Sequence, residues 1–390
     1  MNQGKYIFAQ VMEFLPARVF DRCVTTYDGN RWTRHFTCWN QMLCMMFGQL
    51  SGRESLRDLL TGLSAHRLKY YHLGLGKNIS RSNLANANEK RDYRIFESFA
   101  YELIGQVRQC SLTSDDFQLD VEGSVYAFDA TVIDLCLNVF WWAKFRKAKG
   151  GIKLHTLYDI KTFIASFVVL TPASVHDVNA LDYLLYEAGA FYILDRGYVD
   201  FERLFEIHRS QAYYVIRAKD NLQFERIYSD KADKSKGVMC DQTVRLKGFY
   251  VSKNYPDKLR RIKFYDKLSD RTFVFLTNHT ELDAEQIAQL YHYRWKVELF
   301  FKWIKQHLKV KTFWGTTPNA VKTQVYIALI TYTLVALIKH KLKSEKSIYT
   351  ILQILSISLL DKTPLNQLLT NQHYKDVKEL NYNQLELNLI

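Results

Sequence analysis

The chain has 390 residues, 48% hydrophobic and 24% charged, which fits a globular protein with a real core and excludes large-scale disorder. Lys and Arg exceed Asp and Glu by 13, a balance that suits a partner dense in negative charge, because neutralised phosphates release counterions. A basic surface without such a partner is the alternative, and composition alone does not separate DNA from RNA or an anionic membrane.

Residues 1 to about 115 read as helical. Residues 39–50 are an apolar run closed by Ser51-Gly52. Leu56, Leu59, Leu60 and Leu63 recur at helical spacing, a further helix starts near Ser80 or Ser82, and residues 93–107 continue the pattern. Short helices with Arg53, Arg57, Arg67 and Lys69 nearby suit a DNA-binding module, and a bundle with basic solvated faces is the plain alternative. From Val121 the period changes. Residues 124–134 predict a strand, a second follows a Gly150-Gly151 turn through residues 153–159, and residues 163–170 predict a third that ends at Thr171-Pro172. His176 and Asp177 open a helix to about Ala188. Residues 191–195 form a short buried strand ending in an acid, residues 200–209 a helix and residues 212–218 a strand, so this part is a mixed α/β sheet. Residues 220–280 differ: strand-like runs at 244–251, 259–265 and 272–277 lie among many Lys and Arg, which predicts a β-rich insertion. From Asp283 one long helix is expected to about Lys309, with more helices after it.

Residues 325–338 are the most apolar stretch, shorter than the ~20 residues of a membrane span and interrupted by Tyr and Thr, so they read as a core helix. The six cysteines, Cys23, Cys38, Cys44, Cys110, Cys136 and Cys240, include no C-x-x-C pair. They read as reduced thiols of a cytoplasmic protein, not as a zinc site or disulfide frame.

Three acids stand out. Asp129 lies within the first strand among apolar neighbours, and Asp195 ends the short strand, where α/β sheets place their sites. A buried carboxylate needs a partner such as a cation; a helix cap is the alternative for Asp195. The third is Glu298. At about 100° per residue, Tyr291, Arg294, Glu298, Lys302 and Lys305 share an arc of about 80° on one helix, beside an apolar strip of Val297, Phe301, Ile304 and Leu308. That stripe suits phosphate: Glu298 as a metal ligand, Arg294, Lys302 and Lys305 as grips, Tyr291 as a hydrogen-bond donor. Ordinary i,i+4 ion pairs are the alternative. The three acids together are hard oxygen ligands for Mg²⁺, and two such ions suit in-line displacement at phosphorus. The chain has no Gly-rich phosphate loop and no Gly-x-Ser-x-Gly, which argues against NTP-driven chemistry and acyl transfer. His176 and Asp177 fit capping and a surface turn better than the metal site. Trp141, Trp142, Trp303 and Trp314 fit the core, while Trp295, next to Arg294, could stack on an extruded base.

Tyr291-x-x-Arg294-x-x-x-Glu298, then six residues and Lys305, resembles the Y-R-E-K signature of cut-and-paste bacterial DDE transposases of the insertion-sequence-four family. The segments 128–131 and 194–198 look like that family's first and second acidic blocks, and residues 79–88 like its helical leader. The resemblance implies an RNase H-like catalytic core (116–219 and 281–345) interrupted by the β-rich insertion (220–280), with an all-helical N-terminal DNA-binding domain (1–115) and a helical C-terminal region (346–390). It implies metal ligands at Asp129, Asp195 and Glu298 for two Mg²⁺ ions, with Mn²⁺ as a substitute, and DNA contacts from Tyr291, Arg294, Trp295, Lys302 and Lys305. It further implies binding to double-stranded DNA at terminal inverted repeats and at target sites, a homodimer on DNA, no membrane, and a place in the bacterial cytoplasm on the nucleoid. Relatives with a hairpin step hold a flipped base with a Trp, and residues 219–290 contain none. A repressor of the same ancestry and another RNase H-like nuclease remain alternatives; the intact acids count against the first, the insertion and helical leader against the second.

Overall fold

The computed structural model describes residues 4–76, 79–109, 117–135, 140–146, 149–307 and 313–370. Cys110, Cys136, Leu308, the side chains of Trp141 and Trp303, and residues 371–390 of the C-terminal region lie outside the described residues.

Six helices come first: α1 (Ile7–Met12), α2 (Ala17–Thr26), α3 (Cys38–Leu50), α4 (Leu56–Ala65), α5 (Arg81–Lys90) and α6 (Arg94–Gln109). Thr37, Ser55 and Ser80 cap α3, α4 and α5 by accepting from the N–H three residues on, which fixes those helix starts; of the three, Ser80 is a start expected from the sequence. Helix α3 is buried on nearly every side. These helices do not pack only on one another. They share one hydrophobic core with α11 (Pro318–Lys341), and that core runs from Ile7 to Leu369. By length and composition α11 could cross a membrane, yet 94% of its apolar window is buried inside the protein.

The strands are β1 (Val125–Leu135), β2 (Lys144–Arg146), β3 (Lys149–Asp159), β4 (Ile164–Pro172), β5 (Phe191–Leu194), β6 (Tyr213–Arg217), β7 (Phe224–Asp230), β8 (Val238–Leu246), β9 (Leu259–Asp266) and β10 (Arg271–Thr277). They join in one sheet of order β2-β3-β1-β5-β6-β10-β9-β8-β7, with β4 on β3. β1 is antiparallel to β3 and parallel to β5, and β5 is parallel to β6 through α7 (Phe201–Arg209). Alternate residues of β1 enter opposite faces. Val125 and Ala127 join the core with α6 and α11, while Tyr126 and Phe128 pack with Leu204 and Ile207 of α7. By this alternation Asp129 belongs to the face of Val125 and Ala127.

Several elements differ from the sequence-based expectation. Gly150 and Gly151 are not a turn; they lie inside β3, paired with Leu135 and Asp134. The chains there are close: a Cβ on Gly151 would sit 3.2 Å from the Cβ of Ala173. The run 244–251 is not one strand, because Gly248, at φ +103°, turns the chain into the short helix α8 (Phe249–Asn254). The helix expected from 176 to 188 is a 3-10 segment, Asp177–Tyr183. Its buried residues are Ala180 and Leu181, and buried Leu184 follows just past its end. The insertion also contains β7, an exposed edge strand without alternating burial, and β10 hydrogen-bonds directly to β6.

Candidate active site

Asp129 lies in the middle of β1, and Asp195 follows the last residue of β5, its neighbour in the sheet. Both therefore stand near the same end of the two strands. The helix expected to run unbroken from Asp283 instead comes as α9 (Ala284–His292) and α10 (Trp295–His307). Between them the hydrogen bonds tighten to i→i+3, from Arg294 N to Tyr291 O and from Val297 N to Arg294 O. The two tyrosines at the break are pinned in different places. Tyr291 packs on Phe275 at 4.8 Å and Tyr293 on Phe117 at 5.0 Å.

This break carries the residues that join the acids. The Arg294 guanidinium donates through Nη1 to Asp129 Oδ2 at 2.8 Å and through Nη2 to Glu298 Oε1 at 2.7 Å. The Tyr291 hydroxyl donates to Asp195 Oδ1 at 3.0 Å, and Arg294 lies over the Tyr291 ring. Acids from β1, from the end of β5 and from the first turn of α10 are thus knitted together by two residues of the α9–α10 break. The i,i+4 pair of Arg294 with Glu298 is present as well. Trp295 is 54% exposed, Lys302 is exposed and Lys305 is half-buried.

The electrostatics are unbalanced. Burial pushes the Asp129 carboxyl up to about 6; the Ala130 N–H and Arg294 oppose this, while Asp195 and Glu298 add to it. Burial, and after it the Asp195 charge, pushes the Tyr291 phenol up to about 12, so it remains a donor. Arg294 Nε and the Tyr198 hydroxyl are buried with no hydrogen-bond partner among the described residues. Three carboxylates face one guanidinium, an excess of two negative charges on oxygen donors only. That chemistry fits a hard divalent cation. Among the described residues, no three His, Cys, Asp or Glu side chains are gathered closely enough to hold one ion; the donors are spaced around Arg294.

Two further groups at this sheet receive no role from the sequence, although Tyr198 closes the 194–198 segment. Tyr198 packs edge-on against Phe128 at 5.4 Å. His155, opposite Ala130 in β3, is fully buried and hydrogen-bonds Thr171 Oγ1 at 2.8 Å; burial holds its imidazole down at about 4. Asp177 pairs with Lys153 at 2.9 Å and has no contact with the three acids among the bonds described, as its reading as a turn residue expects. Trp314 is buried, and Trp142 donates to Thr316 O at 2.8 Å.

Residues 121–334, which contain all three acids, match the model of the transposase DDE domain. The chain belongs to the DDE transposase family. Residues 3–76 match the model of a domain of unknown function. The chain is 34% identical over 257 residues to a Sinorhizobium fredii protein described as a transposase, covering 64% of this chain and 69% of that one. It is 31% identical over 222 residues to a Geobacillus stearothermophilus protein described as a transposase for an insertion sequence element, covering 56% of this chain and 58% of that one. It is also similar to a solved piggyBac transposase synaptic complex with hairpin DNA, at 12% identity and a TM-score of 0.48 over 94% of this chain and 82% of that one, a likeness too distant to carry an argument. The chain is accordingly an insertion-sequence DDE transposase that acts on DNA, of a class that generally uses divalent metal ions.

Proposed function

We propose that this transposase excises and inserts its element by cut-and-paste, with Asp129, Asp195 and Glu298 as the acids of the DDE set. The observation that carries the reading is the pair of links from Arg294 and Tyr291, which draw together acids from three separate elements. The three acids would hold two divalent ions, Mg²⁺ or Mn²⁺, which when bound supply activation of the attacking oxygen and stabilisation of the leaving oxygen at phosphorus. Arg294 orients Asp129 and Glu298, and Tyr291 orients Asp195. Trp295, Lys302 and Lys305 lie on the same helix as Glu298 and serve as DNA contacts, together with Arg294 and Tyr291 when a phosphate is present.

On this reading the α/β part is an RNase H-like core, 116–219 and 281–345, of the insertion-sequence-four type. Residues 220–280 are its insertion, 1–115 bind the terminal inverted repeats, and 346–390 complete the helical end. Two copies act as a homodimer across the two ends, on the nucleoid of the bacterial cytoplasm. The test uses linear DNA carrying the ends of the element, with Mg²⁺ or EDTA, beside Glu298→Gln. Metal-dependent cuts at the ends, reduced on the order of 10³-fold or more in the variant, are expected. Tight binding with no cleavage under any metal would replace the reading with a repressor, and cutting without regard to the ends would replace it with a general nuclease.

A further inference from the structure

Away from the three acids, the N-terminal helices carry a concentration of positive charge. Residues 29–53 and 59–88 contain no Asp or Glu, yet together they hold seven Lys and Arg. Each run folds partly as a loop, and the two loops are tied together at the start of α3. Asn40, which is buried, donates to His35 O at 3.3 Å and accepts from Gly76 N at 3.1 Å. Gly76 permits this approach: a Cβ there would lie 2.2 Å from Asn40 Nδ2.

The first loop is rigid and strained. Asp28 and Trp32 have φ of 50° and 61°, a left-handed backbone that bulky L residues rarely adopt. Gly29 N donates to Val24 O, Arg31 N to Asp28 O and Thr33 N to Asn30 O, while Asn30 Oδ1 accepts from Cys38 N at 2.8 Å. The fixed loop holds Trp32 89% exposed, with Arg31 over its ring at 5.6 Å and Arg34 and His35 exposed beside it. The second loop begins with two 3-10 turns, Arg67–Lys69 and Tyr71–Leu73, which expose Leu68 at 97% and Tyr71 at 87%, with Arg67 and His72, and it borders an open groove of about 950 Å³. The acids bordering the first loop are Asp21 and Asp28, which share a hollow with Arg31.

Strain retained to keep an indole in water points to a ligand that takes the ring. Exposed rings interleaved with cations, on acid-free stretches, fit nucleic acid better than the apolar core of a protein interface. We infer that these two loops form a DNA-binding surface separate from the catalytic acids, in which Arg31, Arg34 and Arg67 contact phosphates and Trp32 and Tyr71 stack on bases unstacked from the same duplex. The inference rests on the DNA-end reading above and assigns part of that binding to named loops.

The test titrates the full chain, in EDTA so that no cutting intervenes, against a labelled duplex from the end of the element. One variant carries Trp32→Gly, which suits the left-handed backbone, with Tyr71→Ala; the other carries Arg31→Gln, Arg34→Gln and Arg67→Gln. Thermal unfolding close to that of the parent verifies the fold of each. The aromatic variant is expected to bind on the order of tenfold more weakly. The charge variant is expected to flatten the slope of log affinity against log salt by about 0.9 for each phosphate that is no longer neutralised. Parent-like affinity and slope in both variants overturn the surface while leaving the catalytic reading intact. A changed oligomeric state with unchanged DNA affinity assigns the loops to a second copy and overturns it as well. A parent protein that binds no DNA overturns the DNA-end reading together with the inference.

Discussion

Two buried arginines of this protein meet carboxylates in opposite ways. Arg260, in the insertion, holds Asp241 with two parallel bonds, Nε to Oδ1 at 2.8 Å and Nη2 to Oδ2 at 2.6 Å, and its Nη1 donates to Leu282 O at 2.5 Å. Every nitrogen has a partner and the charges match one to one. Arg294, at the candidate site, is divided between Asp129 and Glu298, its Nε has no hydrogen-bond partner among the described residues, and Asp195 adds a third acid nearby. A completed pair of this kind ties strands β8 and β9 to the chain leading into α9. An incomplete one leaves negative charge over, which is what a site for cations and phosphates requires.

The contrast between the two arginines breaks most easily at the insertion. Asp241→Asn leaves the Arg260 guanidinium buried without its counter-charge and should cost about 3–5 kcal/mol in urea unfolding. The joint change Arg260→Met with Asp241→Leu should recover most of that loss, because apolar replacement removes both desolvated charges. A single-variant loss under about 1 kcal/mol would mean that the pair is not what holds this part of the sheet.

A second, smaller effect comes from His155, a polar group kept neutral by burial against Phe128. Its folded value of about 4 lies below the ordinary value of 6.5, so the unfolded chain binds the extra proton between these limits. Stability is then full above about pH 6.5 and falls as pH drops toward 4, by about 3 kcal/mol at about 1.4 kcal/mol per unit. Comparing the parent with His155→Gln between pH 7 and pH 4 isolates this contribution from other carboxylates. Equal pH slopes in the two proteins would mean that His155 is not held neutral by the fold.

What the sequence revealed of this site was what depends on local pattern. The apolar strand around Asp129, the short strand before Asp195 and the Y-R-E-K spacing place the acids, and Ser80 marks a helix start through its own side chain. The break at Tyr293–Arg294 was not legible, because residues 284–307 keep a helical period across it; the Phe117 and Phe275 side chains that pin the two tyrosines are remote in sequence. His155 was missed for the same reason, since its burial comes from the assembled sheet, while Tyr198 reads only as the end of the 194–198 segment, with no role of its own. Gly150-Gly151 reads as a turn from composition and lies in a strand because Ala173 approaches there. Strand β7 has no alternation to detect, as an edge strand exposed on both faces need not have any.

The smallest expected effect is the sharpest test of the contrast between the two arginines. Asp129 resembles Asp241 in chemistry and in having an arginine partner, though it is less deeply buried, so by its partner alone it would have the same stabilising role. The site says otherwise, because a carboxyl pushed up to about 6 from an ordinary value near 4 is one whose charged form the fold disfavours. Above pH 4 the unfolded chain releases this proton more readily than the folded one, so in metal-free protein ionised Asp129 works against stability through the window from about 4 to 6 and beyond. Asp129→Asn supplies a neutral side chain of the same shape and leaves Arg294 its bond to Glu298. Metal-free unfolding at pH 7 should therefore change by less than about 1 kcal/mol, or rise, where Asp241→Asn falls by several. If Asp129→Asn destabilised the protein as much as Asp241→Asn, Arg294 would be a structural arginine like Arg260, and the excess of negative charge at the catalytic edge would lose its meaning.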